Sequence, residues 1–167
     1  MKKIVLFILI SASSSFAQTK DYSADIKSVD AIITALYDVI SGDPGAARDW
    51  ARFKNLFTAD AKLIPTVKNP EGKITYRTFT PDEYVNMFTS RIKTGFFERE
   101  LSQTKEEFGT VVHVFSTYET KEKKDGPVTN RGINSIQLFY DGNRYYVVSI
   151  FWCAESLGFE LPEKYLK

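Results

Sequence analysis

The chain has 167 residues, with 22 basic and 21 acidic side chains and a formal net charge of +1. Positive and negative residues are interspersed along it. This pattern argues against the basic patch of a nucleic-acid-binding protein and against a polybasic membrane surface. Aromatic residues make up 14% of the chain, a share that suits a substantial core or an aromatic-lined pocket.

The N-terminal segment has the three parts of a cleavable secretory signal peptide. Lys2 and Lys3 supply a positive start, residues 4–10 are an unbroken apolar run, and residues 11–17 are mostly small and polar. We expect cleavage before Gln18, because small residues at the end of this segment suit a signal peptidase. The apolar run is shorter than the roughly 20 residues that span a bilayer. The expected location is therefore the periplasm or the exterior, with no stable membrane anchor; an uncleaved anchor is the alternative.

Cleavage would leave residues 18–167, a length typical of a single domain. Loss of two lysines from 22 basic residues leaves 20 against 21 acidic residues, so the net charge becomes −1. Cys153 is the only cysteine, and no internal disulfide can form. It is interpreted as a small buried apolar residue, with an intermolecular disulfide or a nucleophile as the alternatives.

The domain is expected to begin with two helices. Asp43 and Pro44 favour the start of the second helix directly after Gly42 ends the first, because Asp caps helices and Pro suits the first helical position. The first helix, of about five turns, is indicated by apolar residues at three- and four-residue spacing: Ile26, Val29, Ile32, Ile33, Leu36, Tyr37 and Ile40. Trp50, Phe53, Leu56 and Phe57 form the apolar stripe of the second.

A short strand over residues 61–65 and a third helix follow. Thr80 and Glu83 have the spacing of a capping box, in which each side chain accepts a hydrogen bond from the other residue's backbone N–H. The pattern predicts a helix that begins after Thr80 and ends at Gly95.

The second half of the chain predicts strands over residues 97–108, 110–121, 129–140 and 144–154. Asp141-Gly142-Asn143 is a hairpin signal between the last two. By alternation Trp152, Ile150 and Val148 share one face, and Asn134 and Ile136 share a face of the neighbouring strand. We assign both faces inward because the opposite faces carry Arg131, Ser135, Gln137 and Ser149.

The order of the predicted helices and strands resembles that of the nuclear transport factor 2-like superfamily. The resemblance covers roughly residues 24–155 and rests on 41–43, 56–61, 131–138 and 147–152 together with Asp141-Gly142. It implies an α+β fold, a cone-shaped curved antiparallel sheet wrapped around N-terminal helices, also described as a cystatin-like roll. The branches it resembles most are SnoaL-like and ketosteroid-isomerase-like. Because the fold hosts isomerases, dehydratases, cyclases and binders, it does not by itself define a function.

The catalytic residues of the isomerase branch do not carry over to this sequence. The resemblance puts the carboxylate base at Pro65 or a neighbour, the helix-borne tyrosine near Ala35 and the second acid at Ile136. These residue types cannot perform the acid and base roles, so ketosteroid isomerisation is not expected. Trp152 does match a position that lines the cavity in that branch.

The expected binding site is the open end of the cone. Its candidate ligand-binding residues are Trp152, Asn134, Ile136, Ile150, Tyr37, Tyr84, Phe88 and Tyr118. The alternative is that these residues are ordinary core, since aromatic residues at helical spacing usually are. His113, the only histidine, is a weak catalytic candidate; the alternative is a surface histidine. A single histidine with a single cysteine argues against zinc.

Three hypotheses follow for the function. The preferred one is an exported domain that binds a small, largely apolar molecule in its cone, with no cofactor and no metal. The second is a lyase or isomerase that uses His113 or another polar group of the cavity. The third is a noncatalytic scaffold. A homodimer through the sheet is expected because the last strand is apolar on both faces, unless residues 157–166 fold back over the outer face.

Overall fold

The computed structural model describes residues 20–167, so the predicted signal peptide and its cleavage site lie outside the described residues. Three α-helices are present: α1 (Val29–Ile40), α2 (Trp50–Asn55) and α3 (Pro81–Arg91). The six strands are β1 (Phe57–Lys68), β2 (Ile74–Tyr76), β3 (Phe97–Phe108), β4 (Val111–Lys121), β5 (Val128–Tyr140) and β6 (Tyr145–Ala154). Within residues 20–167, no helix combines the length and the apolar character needed to cross a membrane.

Helix α1 lies against the inner face of the sheet and is buried on most sides. It is shorter than predicted because Ser28 has extended dihedral angles and its hydroxyl accepts a hydrogen bond from the Ala31 backbone N–H at 3.2 Å. The preceding residues Ser23–Ile26 form a separate 3₁₀ turn. Eight of the twelve residues of α1 are buried, so this helix supplies much of the core.

The predicted start of α2 at Asp43-Pro44 was wrong. Asp43 begins a turn, with the Ala46 N–H bonded to its carbonyl at 3.1 Å. Arg48 donates to the carbonyls of Ile40 and Gly42 at 3.1 and 2.9 Å. These bonds hold the loop after α1 in a non-helical course. Asp49 then caps α2 by accepting the Arg52 backbone N–H at 3.0 Å.

The capping box at the start of α3 is confirmed. The Thr80 N–H donates to the Glu83 carboxylate at 2.7 Å, and the Glu83 N–H donates to the Thr80 hydroxyl at 3.2 Å. The helix ends at Arg91 with Ile92 as its C-cap, four residues before the predicted stop at Gly95.

All six strands form one curved sheet in the order β2-β1-β6-β5-β4-β3. The sheet was predicted to be antiparallel, but it is mixed because β1 runs parallel to β6. Strand β1 extends well beyond the predicted residues 61–65. Long antiparallel pairings of β3 with β4, β4 with β5, and β5 with β6 build the wall on which the helices pack.

A β-bulge in β6 corrects one predicted side-chain direction. Gln137 pairs with Ser149 and Leu138 pairs with Val147, which leaves Val148 as the extra residue. A bulge reverses the alternation. Val147 is therefore fully buried on the inner side, and Val148, predicted to face inward, is 39% exposed.

The C-terminal tail folds back over part of the outer face of the sheet. The Tyr165 ring packs edge-on against Phe115 with ring centroids 5.2 Å apart, and the Ser102 hydroxyl donates to the Tyr165 carbonyl. The Leu161 N–H donates to Glu155 at 3.0 Å. The tail thus covers part of the β3 and β4 side of this face, whereas Phe151 stays 46% exposed.

Candidate functional site

A cavity of about 250 Å³ lies between the helices and the inner face of the sheet. Protein interiors rarely contain voids larger than a water molecule, so a space of this volume is a distinct structural feature. Its wall is mainly apolar and aromatic and comprises Leu36, Tyr37, Ile40, Phe53, Leu63, Tyr84, Met87, Phe88, Ile92, Phe96, Glu98, Tyr118, Thr120, Asn130, Asn134, Ile136, Ile150, Trp152 and Ala154.

The structure brings the eight predicted ligand-binding residues together on this one wall. Asn134 and Trp152 are directly opposite each other on β5 and β6, and Ile136 pairs with Ile150 one step along. Tyr84 packs edge-on against Trp152 with ring centroids 6.3 Å apart. Their contribution to ligand binding stays a prediction.

The remaining predicted residues come from other elements. Tyr37 reaches the wall from α1, and Phe88 comes from α3 beside Tyr84. Tyr118 comes from the inner face of β4. The aromatic side chains therefore reach the cavity from α1, α3, β4 and β6.

The Tyr37 hydroxyl is held in a chain of hydrogen bonds. The Asn134 amide donates to it at 3.0 Å, and it lies 2.7 Å from the Ser116 hydroxyl. Since Ser116 donates its own proton to Glu100 at 2.5 Å, Tyr37 is the donor to Ser116. Burial raises the pKa of Tyr37 and that of Glu100. This chain fixes the tyrosine and the amide and leaves the Asn134 side-chain oxygen without a partner among the described residues.

Glu98 is the polar residue of the wall that the sequence-based site did not include. Its side chain leaves β3 on the inner side, opposite Thr120. Within residues 20–167 its carboxyl group forms no hydrogen bond and no ion pair. Burial raises the pKa of Glu98 to about 8, so the group is mostly protonated at pH 7. The side chain keeps some accessible surface because it faces the cavity.

Two further hydroxyl groups, those of Tyr84 and Tyr118, lie near Glu98. Burial raises the pKa of Tyr84 and of Tyr118, and neither hydroxyl forms a hydrogen bond with another described residue. Tyr118 is opposite Gly132, where an added Cβ would lie 2.6 Å from the tyrosine oxygen. Glycine at this position therefore makes room for the Tyr118 ring. The cavity thus offers a carboxyl group and two phenols with unused hydrogen-bonding capacity.

His113 does not lie in the cavity. It is on the outer face of β4, where its Nε2 is 3.0 Å from the Ser135 hydroxyl and its Nδ1 is 3.6 Å from Glu106. Inner positions of β4 alternate with it and carry Val112 and Val114. The prediction that places His113 among the polar groups of the cavity is wrong, because strand alternation points it away from the cone.

Of the three positions matched to isomerase roles, only one lies on the cavity wall. Ile136 lies on the cavity wall, whereas Ala35 is packed in the core and Pro65 lies on β1 outside the wall. The acidic group of this cavity comes instead from β3. No group of three or more metal-ligating side chains is present in the part of the chain that the structure describes.

A more open cleft of about 560 Å³ adjoins the cavity, and Glu98 borders both spaces. Its wall carries side chains of both signs: Asp38, Arg99, Glu100, Glu119, Lys121, Lys124 and Asp125. Glu119 is paired with Arg99 at 2.7 Å and with Lys121 at 3.6 Å. The cleft therefore places three cationic side chains near Glu98, but none of them forms an ion pair with its carboxyl group among the described residues.

The sequence matches no protein-family model and no curated protein. Solved structures do match. An NTF-2 like protein of unknown function from Silicibacter pomeroyi is 13% identical with a TM-score of 0.50, over 75% of this chain and 92% of that one. A candidate Ca/calmodulin-dependent kinase II association domain from Exiguobacterium sibiricum is 10% identical with a TM-score of 0.53, and the match covers 75% of this chain and 89% of that one. A candidate ketosteroid isomerase from Parabacteroides distasonis is 8% identical with a TM-score of 0.50, and the match covers 77% of this chain and 94% of that one.

Proposed function

On the premise that the chain has the nuclear transport factor 2-like fold predicted from its sequence, we propose that it binds a small, largely apolar molecule in its cavity. The observation that carries the proposal is the cavity itself, about 250 Å³ with a mainly apolar and aromatic wall. Small-molecule sites combine apolar walls with a few convergent polar groups. Glu98, Tyr84 and Tyr118 supply such groups, because their hydrogen-bonding capacity is unused.

Fluorescence of Trp152 tests this proposal. The chain has two tryptophans, so Trp50→Phe leaves Trp152 as the only reporter. Trp50 is outside the cavity wall, where it packs on Phe53 and Phe88. A series of small neutral apolar probes that begins with phenethyl alcohol should change the emission of Trp152. In calorimetry, Trp152→Ala should weaken binding at least tenfold, which corresponds to about 1.4 kcal/mol.

The Trp50→Phe protein is the control, and it should bind the probes as the unaltered chain does. If no probe in the series binds, the proposal is contradicted. If folded Trp152→Ala protein binds as tightly as the unaltered chain, the site lies elsewhere.

A second candidate function is proton transfer, and Glu98 favours it. A carboxyl group with a pKa near neutrality and no protein partner can give and take a proton in a cavity. This candidate is an isomerase or lyase whose acid and base group is Glu98 rather than His113. Deuterium uptake from D₂O into a simple unsaturated ketone, lost in Glu98→Gln, would support it; equal uptake with both proteins would reject it.

We also propose that the chain forms a homodimer through the uncovered part of the sheet's outer face. Exposed apolar side chains remain there beyond the tail, and large apolar patches are uncommon on monomers. The patch comprises Val111, Phe139, Val148 and Phe151. One structural match is named as an association domain. Sedimentation at micromolar concentration should show a dimer that Phe139→Asp dissociates, and a monomeric unaltered chain would contradict this interface.

Export is proposed from the N-terminal sequence pattern alone. The domain would then meet its ligand in the periplasm or outside the cell, after cleavage before Gln18.

A further inference from the structure

We propose that the cavity is selective for a monocationic amine, a small apolar skeleton with one protonated nitrogen that pairs with Glu98 and lies among the surrounding aromatic rings. This inference rests on the proposed ligand-binding function and names the chemical class of the ligand.

The first support is the charge of the wall. Glu98 is the only acidic side chain among its residues, and none of them is lysine, arginine or histidine. Arg48 lies near Phe88, with its guanidinium carbon 5.5 Å from the ring centroid, but it is not part of the wall and directs its donors to backbone carbonyls. A ligand with one positive charge is the complement of such a wall.

The second support is how this fold treats other shielded carboxylates: three are paired with arginine, whereas Glu100 accepts a hydrogen bond from Ser116. Asp25 is paired with Arg52 at 2.7 Å, and Glu155 is paired with Arg131 at the same distance. Glu119 is paired with Arg99. Burying an ionised carboxylate without a partner is costly, and these pairs offset that cost. Glu98 has no such partner in residues 20–167, so the missing cation is best supplied from outside the chain.

The third support is the aromatic surface around the carboxyl group. A cation is attracted to the faces of Trp, Tyr and Phe rings within about 6 Å. The wall provides Tyr84, Phe88, Phe96, Tyr118 and Trp152. A carbonyl compound would use only the hydroxyl donors, whereas an ammonium group uses both the carboxylate and the rings. The volume has room for on the order of ten non-hydrogen atoms, since a water-sized group occupies about 30 Å³.

Amine binding should depend on pH in a defined direction. The groups facing Glu98 from other elements are Tyr37, Tyr84 and Tyr118, and burial raises the pKa of each, so they keep their protons. The charged groups of the adjoining cleft are Asp38, Arg99, Glu100, Glu119, Lys121, Lys124 and Asp125. Because a nearby cation stabilises the carboxylate, the amine releases the proton of Glu98. Affinity should therefore rise with pH up to about pH 8.

The test compares phenethylamine with phenethyl alcohol, which have the same carbon skeleton. Calorimetry in two buffers of different ionisation enthalpy should show about one proton released per amine bound at about pH 7. Amine affinity should be at least tenfold higher at about pH 8 than at about pH 6, whereas the affinity for the alcohol should not rise. In Glu98→Gln the ratio of amine to alcohol affinity should fall toward one and the proton release should vanish.

Glu106→Gln is the matched control, because Glu106 is an exposed glutamate of the same strand outside the cavity. It should keep the preference for the amine, and circular dichroism should show that both variants are folded. If the alcohol binds as well as the amine at both pH values, the inference is overturned while the proposed function stands. If the preference survives Glu98→Gln, the cation is held elsewhere and the inference also fails. If neither probe binds, both proposals fail.

Discussion

Replacing Glu98 with glutamine should stabilise the protein, and the gain should grow with pH. Burial raises the pKa of Glu98 from its ordinary value of 4.5 to about 8. Between these values the folded chain keeps a proton that the unfolded chain has released. Stability therefore falls as the pH rises through this window, and the loss is complete above the folded-state pKa. Glutamine keeps the shape of the side chain and removes the proton equilibrium.

The size of the effect follows from the same two values. One pKa unit corresponds to about 1.4 kcal/mol, so the full shift corresponds to about 5 kcal/mol. Water that reaches the carboxyl group through the cavity and the cleft reduces this figure. From about pH 5.5 to about pH 8.5, the difference in unfolding free energy between Glu98→Gln and the unaltered protein should grow by about 2–3 kcal/mol. Urea denaturation at a series of pH values measures it.

Glu71→Gln is the control, because Glu71 is an exposed glutamate in the turn between β1 and β2. Its stability difference from the unaltered protein should not change with pH. A difference between Glu98→Gln and the unaltered protein that stays constant with pH would refute a buried, unpartnered carboxyl at this position.

Three other expectations are independent of Glu98. Thr80→Ala should destabilise the protein by about 1 kcal/mol because the Glu83 N–H loses its acceptor; Thr80→Ser should not, and an unchanged urea midpoint for the alanine variant would argue against the cap. Gly132→Ala should cost about 1–3 kcal/mol and weaken probe binding, since the added carbon collides with the Cys153 carbonyl and the Tyr118 hydroxyl; wild-type binding by this variant would show that the wall adjusts freely. Intact mass of the exported protein should correspond to an N-terminus at Gln18, and a full-length membrane-bound chain would reject export.

Local signals accounted for most of the fold. The Thr80 capping box and the alternation along β4 and β5 depend on neighbours within the same segment, and their predictions were confirmed. Strand alternation also predicted residues that line the cone, which is why Asn134 and Trp152 were expected on the same wall. The nuclear transport factor 2-like resemblance supplied the arrangement of these segments, and the structural matches confirm that fold.

Features that depend on distant partners were missed. Arg48 holds the loop after α1 through carbonyls of residues several positions earlier, so the cap of α2 moved from Asp43 to Asp49. The bulge at Val148 arises from how β6 pairs with β5, which no pattern within β6 reveals.

Glu98 was missed for a different reason. Glu98 stands beside Arg99 and Glu100 in the sequence, and charged side chains are rarely buried, so it was not among the residues assigned to the cavity. In the fold, Glu98 shares the inner side of the sheet with Thr120 and Tyr118. The sequence signal for this site was a carboxyl group directly after two aromatic residues, Phe96 and Phe97, at the start of a strand.

A crystal structure of the protein soaked with a neutral apolar probe tests the central claim most directly. The account predicts probe density inside the cavity, in contact with the Trp152 ring and within hydrogen-bonding distance of Glu98, Tyr84 or Tyr118. Density for the probe only outside this wall, with the cavity filled by side chains or water at saturating probe, would contradict it.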